Sequence, residues 1–136
     1  MILRRRRLPE SLRAAAAVFD QVLAEVEPAK AAITDVMPST RMPGTPLPDA
    51  LMEFESRLGR ARALMPGWRR PETEDVWSAC DAGLAESAER ARRFREEAPD
   101  LGGFEGLIWA VEHLMDPLDA FARAETRFDE LRTSRP

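Results

Sequence analysis

Apolar residues recur along this chain at helical spacing, and no stretch alternates with the period of two that a strand requires. Leu12, Ala16, Phe19, Leu23 and Val26 step by four and three, one apolar stripe on a first helix that opens near Pro9. Pro28 predicts a kink or an end there, because proline lacks the backbone donor and crowds the preceding turn. A continuation through Ile33 and Val36 fits the same stripe. Residues 37–48 form a Pro-rich loop that no regular helix crosses.

The second helix has the cleanest pattern: Leu47, Leu51, Phe54, Leu58, Ala61, Met65 and Trp68, stopped by Pro66-Gly67. Pro71 opens the third, whose inner face is Trp77, Cys80, Leu84, Ser87, Ala91 and Phe94. Pro99 and Gly102-Gly103 close it, and a fourth begins near Phe104. The predicted fold is all-α, an antiparallel four-helix bundle in a single domain spanning 1–136, with a flexible basic arm over 1–7 and kinks near Pro28 and Pro117.

The fourth helix is the most informative. At 100° per residue, Phe104, Leu107, Ile108, Val111, Leu114, Met115, Leu118 and Ala122 make a core seam. Glu105, Glu112, Asp116 and Asp119 gather on a flank. Trp109 and His113 fall away from the seam, beside Gly106, Ala110, Pro117, Ala120 and Ala124. An outer helix of a bundle needs one non-polar face, and this one has two. Two readings of the second face follow: cover by the N-terminal segment or the Pro-rich loop, or a partner surface made of Trp109, His113, Gly106, Ala110 and Ala120. Pro117 also strips the His113 carbonyl of its intrahelical donor. Because the apolar phase runs on through Leu114, Leu118 and Ala122, a kinked continuous helix is expected.

Composition narrows the function. The net charge is −4, which opposes a nucleic-acid-binding surface. Arginine supplies nearly every cation, Lys30 being the single lysine, and asparagine and tyrosine are absent. That bias fits a GC-rich bacterial coding sequence and weakens any one arginine as a sign of anion binding. Arg4, Arg5, Arg6 and Arg7 remain candidate anion-binding residues, and stacking on Trp68 accounts for one of Arg69 and Arg70. The single cysteine, Cys80, excludes an intramolecular disulfide and points to a reducing, cytoplasmic setting. No run is apolar enough to predict a membrane span.

Catalytic chemistry finds little support. One histidine makes no zinc or di-iron site, and Cys80 lies on an inner stripe, away from His113. The alternative weighed is a metal-dependent or ligand-binding all-α enzyme using a carboxylate cluster, on nucleotide pyrophosphatase lines. Glu86 with Glu89 has the required Glu-x-x-Glu spacing but points outward from the Leu84 seam; Asp116 with Asp119 is interrupted by Pro117. The expectation is therefore a small protein–protein interaction or homo-oligomerisation module. It has no cofactor, no metal and no enzymatic activity, and its partner is a protein or a second copy.

Overall fold

The computed structural model describes residues 8–34, 47–97 and 104–133. It is an all-α helical bundle, with no strand among those residues. The first helix, α1 (Glu10–Thr34), takes its opening bonds on the Pro9 carbonyl, which accepts from the amides of Leu12 and Arg13 at 2.9 Å. It continues through Pro28 instead of ending there; the carbonyl that Pro28 leaves without a donor belongs to Ala24, on the exposed side. Val36, Arg4–Arg7, Gly102-Gly103 and nearly all of the Pro-rich loop lie outside the described residues.

The next helix, α2 (Leu47–Leu64), passes into a 3-10 turn, Met65–Trp68. A second short 3-10 turn, Pro71–Thr73, leads into α3 (Glu74–Glu97). From Leu51 to Trp68 every residue of the sequence-derived stripe is buried. On α3 the same holds for Cys80, Leu84, Ser87, Ala91 and Phe94. Trp77 is half-buried and donates its indole N–H to the Met65 carbonyl at 2.7 Å. Arg69 stacks on Trp77, 4.2 Å from the ring centroid, and not on Trp68, because Trp68 is wholly enclosed by the core.

Contacts between α1, α2 and α3 run in opposite chain order. Glu25 of α1 pairs with Arg57 and Arg60 of α2, while Val18 meets Gly67. Glu55 pairs with Arg95 near the end of α3, and Arg62 with Asp81 nearer its start. Phe19, Trp68, Phe121 and Phe128 close the core, with Phe19 centred 4.9 Å from both Trp68 and Phe128.

The fourth rod departs from an unbroken helix. It consists of α4 (Phe104–Met115), a 3-10 turn at Asp116–Asp119, and α5 (Ala120–Thr133). A 3-10 turn advances about 120° per residue against about 100° in an α-helix, so four residues add roughly 80°. That rotation carries Ala122 out to solvent and brings Phe121, Ala124 and Phe128 into the core instead. It corrects the continuous seam expected through Ala122. Leu114 and Leu118 are fully buried, Val111 and Met115 half-buried, and Ile108 is 39% exposed. Among the described residues no helix is long and apolar enough to cross a membrane.

Candidate functional site

The surroundings of Trp109 are set by a stripe on α3, Gly83, Ser87, Arg90 and Phe94, which meets the bend of the fourth rod. Gly83 admits the turn: a Cβ there would sit 2.1 Å from the Pro117 carbonyl oxygen. Ser87 donates its hydroxyl to the Leu114 carbonyl at 2.8 Å in a fully buried setting. One turn on, the Arg90 guanidinium donates to the His113 carbonyl, also at 2.8 Å. This is the acceptor whose intrahelical partner Pro117 removes, so a side chain from the neighbouring helix takes the place of the missing amide. Glu86 holds Arg90 in position with a 2.9 Å ion pair.

Phe94 completes the stripe. Its ring stacks on Trp109, with centroids 4.8 Å apart and planes 15° apart. On the other side of the indole lies His113, at 4.5 Å and 13°. Three rings thus form one parallel stack running from the buried Phe94 through the half-buried Trp109 to the exposed His113. His113 Nδ1 is 3.0 Å from the Trp109 carbonyl. A carbonyl can only accept, so Nδ1 carries the hydrogen and, in the neutral ring, Nε2 is left as an acceptor. The indole is fixed on both faces while part of it stays in contact with solvent.

The second non-polar face is therefore covered by α3 through Phe94. Of the residues grouped there by register, Trp109 and His113 come together. Ala120, beyond the re-phasing turn, is half-buried and packed against the core. Gly106 and Ala110 are helical positions in α4 whose surroundings lie outside the described part. Sequence reasoning placed Phe94 on an inner face without pairing it to Trp109, and it placed Ile108 in the core seam. Ile108 and Met52, 58% exposed on α2, are the large apolar side chains left in solvent among the described residues.

The groups considered for chemistry are engaged elsewhere. Glu89 is hydrogen-bonded by Arg92 and Arg93, and the Arg92 hydrogen bond above all draws its carboxyl down to about 2. With Glu86 on Arg90, both members of the Glu-x-x-Glu pair are taken up by arginine. Burial pushes the Cys80 thiol up to about 12, far from a thiolate nucleophile. Among the described residues no three His, Cys, Asp or Glu side chains are grouped to hold a metal ion. No protein-family model, curated protein or solved structure matches the chain.

Proposed function

We propose that the protein is a protein–protein contact module of the bacterial cytoplasm, and that its contact face is the solvent side of α4 around Ile108, Trp109 and His113. The simplest partner is a second copy of the chain. The observation that supports this most directly is the pre-set indole of Trp109, held between Phe94 and His113 beside the exposed Ile108. A large aromatic already fixed in one orientation loses little conformational entropy on binding, and such anchors dominate contact energetics. Gly106 and Ala110 share that side of α4 by register, where small residues let a partner approach closely.

The test is sedimentation of the wild-type chain and of Ile108→Asp over a range of concentrations. The wild type should shift from monomer towards dimer as concentration rises, and Ile108→Asp should stay monomeric with an unchanged circular dichroism spectrum. Ile108 is the better probe than Trp109, because truncating Trp109 also strips the packing from Phe94. A wild-type chain that remains monomeric throughout contradicts self-association.

A further inference from the structure

The molecule carries a second feature, independent of the α4 face. A cleft of about 150 Å³ lies between α1 and α5. Phe19 and Phe128 form its floor, and Asp20, Glu125, Asp129 and Arg132 stand around it. Arg132 pairs with Asp129 at 3.2 Å. Asp20 and Glu125 have no ionic partner among the described residues, so the rim carries an excess of negative charge over an aromatic base. Guanidinium groups suit both parts of such a site: they bind carboxylates through several donors and lie flat on aromatic rings.

The chain holds a matching segment. Arg4–Arg7 are four consecutive arginines immediately before Leu8. Leu8 is itself buried in the core, on the line continued by Leu12, Ala16 and Phe19 along α1, so the chain enters α1 on the side that forms the cleft wall. Ala16, the cleft residue nearest to Leu8 in sequence, is about 12 Å along the helix at 1.5 Å per residue, and Asp20 about 18 Å. An extended segment covers about 3.3 Å per residue, so Arg4 stands up to about 13 Å from Leu8 before its long side chain is added.

From charge, reach and entry side, we infer that the Arg4–Arg7 segment folds back along α1 and seats its guanidinium groups in the α1–α5 cleft of its own chain. The anion that this basic run recognises is then the chain's own carboxylate rim.

The experiment uses the full chain with a nitroxide attached at Leu3→Cys; the buried Cys80 thiol does not compete for the label. In ¹⁵N spectra the amides of residues 16–23 and 125–132 should lose most of their intensity. They should recover it in the Asp20→Asn, Glu125→Gln, Asp129→Asn variant, which alters surface groups only, and in a chain with Arg4–Arg7 all changed to Gln. Cleft amides that keep their intensity overturn the inference, as does broadening that survives in the carboxamide variant. Broadening that occurs only when labelled and ¹⁵N chains are mixed assigns the arm to another copy and also overturns it. Ile108→Asp should leave the signal unchanged, which separates this result from the fate of the α4 face.

Discussion

Replacing Gly83 by alanine puts a methyl group where the Pro117 carbonyl oxygen now sits. The ideal Cβ lies 2.1 Å from that oxygen and 3.1 Å from its carbon, whereas real Cβ contacts essentially never fall below 3.0 Å. The obstructing atoms are backbone, so α3 and the turn must separate by about 1 Å, a shift of the kind that overpacking forces at about 1–3 kcal/mol. The same shift stretches the bond from Ser87 to Leu114, now 2.8 Å, beyond hydrogen-bonding distance. Losing it in a buried site costs about 1–2 kcal/mol more. Alanine returns about 1 kcal/mol through its better helix propensity. The net expectation is a loss of about 2–3 kcal/mol, or roughly 8–12 °C in Tm for a chain of this size. Gly59→Ala is the internal control. It makes the same change in the interior of α2, but its added Cβ meets nothing within 4 Å, so it should gain about 0.5–1 kcal/mol. Urea unfolding followed at 222 nm reads both, with the m-value unchanged. A Gly83→Ala chain as stable as wild type, or two variants moving in the same direction, would refute the docking of Pro117 on α3.

Three further outcomes follow from neighbouring groups. Arg90→Met should cost about 1 kcal/mol alone and roughly 0.5–1 kcal/mol less in a Pro117→Ala background, where residue 117 regains the N–H that serves the His113 carbonyl; strict additivity in this double-mutant cycle would break the link. Glu89, lowered to about 2 by the Arg92 hydrogen bond, contributes stability that is present above the ordinary carboxyl range and lost as pH falls through about 2. Glu89→Gln should therefore melt below wild type at pH 6, with the gap closing towards pH 2; a constant gap contradicts the assignment. Cys80, with its thiol at about 12, should resist Ellman's reagent at pH 8 in the native chain and react promptly in urea, so rapid native labelling would contradict its burial.

Much of the fold is legible because α2 and α3 are regular. From Leu51 to Trp68, and from Cys80 to Phe94, counting at 100° per residue names the buried face directly. The count fails at Asp116–Asp119, where the tighter turn rotates all that follows, so Ala122 reads as core and Phe121, Ala124 and Phe128 do not. A signal was present: Phe121 and Phe128, seven residues apart, had no place on the unbroken seam. At the candidate site, the orphaned His113 carbonyl is a consequence of Pro117 alone and can be read from sequence. Its rescue by Arg90, and the stacking of Phe94 on Trp109, depend on how α3 is turned towards α4. Spacing within one helix does not encode that angle. Gly83 illustrates the point, since its value lies entirely in the approach of another element.

The account centres on α4 as the face through which this chain meets a partner, and a concentration series of ¹⁵N amide spectra tests it most directly. The account predicts shifts that grow with concentration and cluster at Ile108, Trp109, Glu112 and His113, leaving α2 unmoved. Spectra that do not change, or shifts that gather around the other exposed apolar residue, Met52, would contradict it.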